Sequence, residues 1–175
     1  MWRPLELVRN SACLALENHG LVDEYLAFSV RRGDKHTVEK FNYPTASEYI
    51  EAAENSIRIH FGGVQPKIFV ATDDCTVMSE LRGLKPDWTF ESQCDLEAHA
   101  ADKGFALTDM KNWDTEMTDA HHAKFFVELY GLAAAKFVIG VAYTNVSWWV
   151  LFMRRARLDT ILFLDHPEPS VGLDW

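Results

Sequence analysis

Residues 137–153 read FVIGVAYTNVSWWVLFM, a run without a charge between Lys136 and the pair Arg154-Arg155. The fold turns on how this run is read. A membrane-spanning helix needs about 20 consecutive apolar residues. Here Tyr143-Thr144-Asn145 and Ser147 interrupt the run in its middle. Length and interruption together favour a buried strand over 137–141, a polar turn, and a helix over 145–157. Strands buried on both faces of a parallel sheet are near-continuous apolar runs of this kind.

Working outward, the same alternation covers the chain. Further strands are expected at 24–30 (EYLAFSV), 67–72 (KIFVAT), 88–92 (WTFES) and 160–165 (TILFLD). Helices fall between them. One spans 4–18 and closes on Asn18-His19-Gly20. A second starts at Thr45-Ala46-Ser47-Glu48, whose spacing is that of a capping box. It carries Tyr49, Ala53 and Ile57 on one face and stops at Gly62-Gly63. A short helix follows Asp73-Asp74 to about residue 84, and another runs from Thr118-Asp119 to about residue 135. Strands alternating with helices imply an α/β fold: a Rossmann-like parallel sheet of about five strands with helices on both faces. There is no internal repeat, low-complexity segment or linker. The reading is therefore one domain over 1–165 and a tail over 166–175 that holds two prolines and a glycine.

Composition agrees. The chain has 175 residues, 48% of them apolar and 25% charged, enough to build a proper core. Seventeen basic against 26 acidic residues give a net charge of −9, which disfavours long-range attraction to DNA, RNA or anionic lipid. A local basic site for a small phosphate ligand stays open. Cys13, Cys75 and Cys94 are odd in number and have no close spacing, so neither a disulfide framework nor a cysteine-based zinc module is expected. No apolar stretch of the signal-peptide kind follows Met1-Trp2-Arg3-Pro4. Residues 93–117 are the least regular part. Seven acidic residues and two lysines between Asp95 and Asp119 suit either a solvated loop or a recognition loop. His121 and His122 are adjacent and would point to different sides of a helix, while His19, His36, His60 and His99 show no metal-ligand spacing.

In open α/β sheets ligands bind beyond the carboxyl ends of the strands. Three polar clusters fall there: Arg31-Arg32-x-Asp34-Lys35, Asp73-Asp74, and Tyr143-Thr144-Asn145. Arginines and a lysine suit a di-anion, because guanidinium makes paired hydrogen bonds to phosphate oxygens. A hydroxyl and an amide at a helix start add free backbone N–H groups for phosphate. Carboxylates at a strand end can accept from ribose hydroxyls or hold a metal. Together the clusters point to a nucleoside diphosphate. GxGxxG and Walker patterns are missing, which counts against a dinucleotide or P-loop enzyme. Each cluster also has a structural reading, as surface ion pairs for the first and as a helix cap for Asp73-Asp74.

At Ser29-Val30-Arg31-Arg32-Gly33-Asp34-Lys35 the chain resembles the α-1,6-fucosyltransferases, which include bacterial nodulation enzymes and the animal core-fucosylating enzyme. Their first motif is His-x-Arg-Arg-x-Asp-Lys with a glutamate four residues on, here Glu39. The second motif is similar to Ala71-Thr72-Asp73-Asp74, and Pro86 to Ser92 echoes an aromatic strand of the family. Glu128, Ala135-Lys136-Phe137-Val138 and Thr144-Asn145-Val146 stand in a third region, so the likeness runs from about 22 to 158. It implies the donor-binding half of a B-type glycosyltransferase that binds GDP-fucose, works without a metal or other cofactor, and transfers fucose with inversion to a glycan hydroxyl.

By that resemblance Arg31 holds the β-phosphate and stabilises the leaving diphosphate. Glu39 is the general base that deprotonates the acceptor. Arg32, Asp34 and Lys35 shape the loop, and Asp73 and Asp74 serve nucleotide binding or site geometry. Glu128 stands where an aspartate reads the guanine edge, and Thr144 and Asn145 stand at the phosphate turn. There are departures. Ser29 replaces the motif histidine, Glu128 is one methylene longer, Thr144-Asn145 replaces Ser-Gln, and Trp148 stands where arginine is usual. The family's amino-terminal acceptor domain has no counterpart in the 22 or so residues before the first motif strand. An acceptor-binding domain or partner is therefore expected, and a non-catalytic GDP-sugar-binding or regulatory domain is the alternative. Animal members work in the Golgi and secretory pathway; the sequence itself assigns no compartment.

Overall fold

The computed structural model describes residues 6–32, 43–94 and 109–165. Five strands form one parallel sheet in the order β3-β2-β1-β4-β5. They are β1 (Leu26–Val30), β2 (Ile68–Thr72), β3 (Phe90–Ser92), β4 (Phe137–Gly140) and β5 (Ile161–Phe163). β1 is the middle strand. It pairs with β2 from Leu26↔Ile68 to Val30↔Thr72 and with β4 from Leu26↔Phe137 to Phe28↔Ile139. The chain builds outward to β3 on one side and then returns to build β4 and β5 on the other. The strand order thus reverses between β1 and β4, the topological switch point of such sheets.

The helices are α1 (Glu6–Asn18), α2 (Ala46–His60), α3 (Thr76–Leu84), α4 (Thr115–Ala134) and α5 (Asn145–Met153). Alternate residues of each strand face opposite layers. Leu26, Phe28 and Val30 of β1 join Ile68 and Val70 of β2 against α2 and α3. Ala27 of β1, Phe69 and Ala71 of β2 and Val138 of β4 face α1, α4 and α5. Both faces are sealed, which is why β1, β2 and β4 are almost wholly apolar, with Ser29 and Thr72 as the buried hydroxyls of β1 and β2. A large side chain buried this way contributes roughly 1.5–3 kcal/mol. Among the described residues no helix is long and apolar enough to cross a membrane, and the charge-free run is the strand, turn and helix read from the sequence.

Local signals set the ends. The capping box of α2 is closed in both directions, Glu48 N–H donating to Thr45 Oγ1 (3.3 Å) and Thr45 N–H to Glu48 Oε2 (2.7 Å). Gly62 and Gly63 follow at φ +62° and +79°, a region that favours glycine. Other boundaries differ from expectation. α4 begins at Thr115, earlier than Thr118, because Asp114 is its cap and accepts from Met117 N–H at 2.8 Å. The charged first turn hides that start from any search for apolar periodicity. Trp88 lies before the strand, near Lys85, whose Nζ sits 5.3 Å from its ring centroid.

α5 stops at Met153, not at Arg157. Arg155 and Ala156 take φ of 58° and 55°, and the turn points Arg154 back at the end of α4. There Nη1 donates to the carbonyls of Leu132, Ala133 and Ala135 (3.2, 3.0 and 2.6 Å). Nη2 donates to Lys136 O and Thr160 O, and Nε to Thr160 Oγ1. The last carbonyls of a helix lack partners within it and carry its negative end, so one guanidinium satisfies several at once.

The cysteine reading is corrected. Cys75 and Cys94 form a disulfide with Cα atoms 5.7 Å apart, while Cys13 is a free, exposed thiol. Their separation of 19 residues carries no pairing signal. The parallel crossover supplies the proximity, because Cys75 follows β2 and Cys94 follows β3 at the same edge of the sheet. Closing a loop of this size stabilises a fold by about 3 kcal/mol in the chain-entropy account.

α4 lies close on the sheet through Gly131. A Cβ there would come within 2.7 and 2.9 Å of Cδ1 and Cζ of Phe69, a ring with no exposed surface. Tyr25 Oη also donates to Gly131 O at 2.7 Å, which fixes the helix in place. Gly131→Ala is expected to destabilise the fold by about 1–3 kcal/mol, since neither ring nor helix has room to give. Urea denaturation of the variant with an unchanged slope and an unchanged midpoint would refute this packing argument.

Candidate functional site at the carboxyl edge of the sheet

The parallel sheet brings the polar clusters to one edge. β1 delivers Arg31 and Arg32, β2 delivers Asp73 and Asp74, β4 leads into Tyr143-Thr144-Asn145, and β5 leads into Asp165. Asp34, Lys35 and Glu39 lie outside the described residues.

Asp73 organises the first two clusters. Its Oδ1 accepts from the backbone N–H of Arg32 at 2.8 Å, and its Oδ2 lies 3.4 Å from Arg31 Nε in an ion pair. Asp74 caps α3. Its Oδ1 accepts from Thr76 N–H (3.0 Å) and Thr76 Oγ1–H (2.6 Å), while Thr72 Oγ1 bonds both the N–H and the carbonyl of Asp74. Arg32 turns to the α3 side. Its two terminal nitrogens meet the two oxygens of Glu80 at 2.7 and 2.9 Å. That paired contact holds the Glu80 carboxyl below its ordinary range and the Arg32 guanidinium above its own.

Two spaces flank this arrangement, and they differ in charge. On the α2 side is an open cleft of about 740 Å³ whose charged walls are Arg32, Glu48, Asp74, Glu80 and Asp165. Its one described cation is already bound to Glu80, so the field there repels an anion. On the α4 side stands Arg31, with its side chain about a quarter exposed. Of the two arginines, Arg31 is the one without a paired contact to Glu80.

The β4–α5 turn is held from β5. Asp165 accepts from Ala142 N–H at 2.7 Å and from Tyr143 N–H at 3.0 Å. Sequence reasoning missed this carboxylate, which read only as the end of a strand; its two partners are backbone groups with no sequence signature. Thr144 is buried and caps α5, its Oγ1 accepting from Ser147 N–H at 3.3 Å. The Thr144 hydroxyl therefore serves the helix, and exposed Asn145 heads the first turn. Gly140 allows close approach at the switch point, since a Cβ there would lie 3.1 Å from Ser29 Cβ.

Glu128 is brought to the site by α4 and is buried. It lines a narrow, largely enclosed cavity of about 10 Å³ together with Ser29 and Arg31. That space has no room for a base, so contact between Glu128 and a base requires its wall to open. Burial is the main cause that pushes the Glu128 carboxyl up to about 7. Lys124 and Arg31 pull the other way, Asp73 adds to the rise, and a hydrogen bond from the Thr72 backbone lowers it again. Among the described residues no group of three or more His, Cys, Asp or Glu side chains is arranged to hold a metal ion.

Neither a family model nor a curated protein sequence matches the chain. Among solved structures it is similar to NodZ α-1,6-fucosyltransferase soaked with GDP-fucose, at 18% identity and a TM-score of 0.50, over 85% of this chain and 42% of that one. It is similar also to NodZ co-crystallised with GDP, at 17% identity and a TM-score of 0.50, over 83% and 41%. The likeness is one of fold. The chain spans about two fifths of the length of these structures.

Glu128 gives the site a definite pH signature. Its folded value of about 7 lies above the ordinary 4.5, so between those values the folded state keeps a proton that the unfolded state has lost. Stability from this group is full below pH 4.5 and declines as pH rises to about 7, by a total on the order of 3 kcal/mol. Glu128→Gln removes the titration. Denaturation at pH 5 and pH 8 should show the variant gaining on the parent at the higher pH; equal pH dependence in the two proteins would rule out a raised Glu128.

Proposed function

We propose that the chain is a nucleotide-sugar-binding domain of the glycosyltransferase type, acting as the donor half of a fucosyltransferase-like enzyme with GDP-fucose as its substrate. The observation that carries this reading is Arg31, a cation at the switch point between β1 and β4, seated on Asp73 and only partly covered. The shared fold with NodZ, a protein whose structures were obtained with GDP-fucose and GDP, supports it. Arg31 receives the β-phosphate through its terminal nitrogens while its charge stays paired with Asp73, and the first turn of α5 adds backbone N–H groups. Arg32, Asp34 and Lys35 shape the loop that presents Arg31, and Asp73 and Asp74 set its geometry.

Transfer then needs an acceptor. A glycan hydroxyl attacks the anomeric carbon from the face opposite the diphosphate. Glu39 takes the hydroxyl proton, the bond from carbon to the phosphate oxygen breaks, and GDP leaves with its charge offset by Arg31. No metal or other cofactor enters this scheme. The acceptor is held by a further domain or partner protein, a requirement supported by the chain's covering about two fifths of NodZ. The same observation favours a second reading, a GDP-sugar-binding or regulatory domain that transfers nothing.

Calorimetric titration with GDP, and with UDP as control, tests the donor site. The parent should prefer GDP, and Arg31→Ala should lose about 10- to 100-fold in affinity, the effect of one charge-assisted phosphate contact. GDP affinity unchanged in Arg31→Ala, or no GDP affinity in the folded parent, would exclude the assignment. With an acceptor partner supplied, Glu39→Gln should bind GDP normally yet fail to transfer; equal turnover would remove Glu39 from the mechanism, and turnover absent even in the parent would favour the second reading.

A further inference from the structure

Behind Arg31 lies a small, largely enclosed cavity between β1, β2, α4 and α5. Its polar wall consists of Ser29, Arg31 and Glu128, and its apolar wall includes Ala71, Leu129 and Val146. Each polar residue contributes a buried atom without a hydrogen-bond partner among the described residues: Ser29 Oγ, Arg31 Nε and Glu128 Oε1. Ser29 is 2% exposed and Glu128 8%. Arg31 Nε touches Asp73 only as an ion pair at 3.4 Å. Buried polar atoms are almost always satisfied, and three such orphans around one space are hard to reconcile with a dry core.

The cavity has a volume of about 10 Å³, the room one water takes. Apolar cavities of this size stay empty, whereas one offering two to four polar partners holds water. We propose that a single internal water bridges Ser29, Arg31 and Glu128, and that through it an anion bound at Arg31 draws a proton onto Glu128. The hydrogen bonds close in either protonation state. With Glu128 ionised, Arg31 Nε–H and Ser29 Oγ–H donate to the water, and the water donates to Glu128 Oε1. With Glu128 neutral, its O–H donates to the water, which turns and donates to Ser29 Oγ.

The groups facing Glu128 decide the direction of coupling. β1 supplies Arg31, β2 supplies Asp73 and the Thr72 backbone N–H, and α4 itself supplies Lys124. His121, also on α4, faces Arg31 and is held below its usual value chiefly by burial. α5 contributes Val146 to the cavity wall. Arg31 is thus a cation that both Glu128 and a bound anion compete to neutralise. An anion at Arg31 cancels that cation's help to the Glu128 carboxylate, so binding takes up a proton, and by reciprocity a rising pH weakens binding. The carboxyl lies near neutrality, where such a linkage is felt. The water stands on the cavity and its three unpartnered atoms; the choice of ligand rests on the nucleotide reading above.

The test has two independent arms. A high-resolution crystal structure of the unliganded chain should show one water within hydrogen-bonding distance of all three atoms; an empty or differently filled cavity overturns the proposal. Carbon-13 NMR should show Glu128 titrating near neutrality, and Ser29→Val, which fills the cavity with a methyl group, should displace the water and shift that titration. A titration unmoved in Ser29→Val refutes the bridge. GDP titration in buffers of different ionisation enthalpy then reads the coupling. The parent should take up a fraction of a proton that Glu128→Gln does not, and above neutrality its affinity should fall faster than that of the variant, by as much as about tenfold per pH unit. Equal proton uptake in the two proteins removes the coupling. If neither binds GDP, the nucleotide reading fails, and the water bridge is decided by the first arm.

Discussion

The pairing of β1 with both β2 and β4 is the constraint on which the rest depends. A strand with parallel neighbours on each side must be apolar on both faces, and Leu26 to Val30 meets this with Ser29 as its one hydroxyl. Because β1 lies in the middle, its carboxyl end opens at the point where strand order reverses, and whatever follows it becomes the centre of the edge. Arg31 and Arg32 follow it. Their alternation sends one guanidinium to each layer, which is how adjacent identical residues acquire different chemistry.

The two sides of that edge are electrostatically unlike. On the α3 side the Arg32 charge is consumed by Glu80 within a carboxylate-rich cleft. On the α4 side Arg31 is shared between Asp73 in front and the Glu128 cavity behind. A carboxyl pushed up to about 7 is partly protonated near neutrality and offsets less of the Arg31 charge than an ordinary glutamate would. The substitution of a serine where the resembling family has histidine fits this arrangement, for a larger ring at Ser29 would occupy the cavity and meet Gly140.

The architecture was legible in the sequence because it is written in local apolar runs. All five strands, the capping box at Thr45 and the stop at Gly62-Gly63 have signals spanning a few residues. The alignment of Arg31, Asp73 and Thr144 along one edge was legible too, since a parallel sheet places every strand end on the same side. What stayed hidden depends on pairs far apart in the chain. The Cys75–Cys94 bond, the Asp165 contact with residues 142 and 143, and the Arg154 contacts with the end of α4 are set by crossover geometry that no spacing encodes. Glu128 was picked out only through resemblance, for an acidic residue amid apolar neighbours on a helix gives no sign of whether it faces solvent or the core.

Arg154 gives the opposite edge a different character. Its guanidinium is answered by carbonyls of α4 and β5's approach, not by an acid. Carbonyls do not titrate, and an arginine stays charged throughout the range in which proteins function. This joint between α4, α5 and the sheet therefore keeps the same set of bonds from acidic to alkaline conditions, while the edge that carries Glu128 changes its charge. The Arg154 joint is thus insensitive to the acidity of the medium where the Glu128 edge responds to it, and α4 runs between the two.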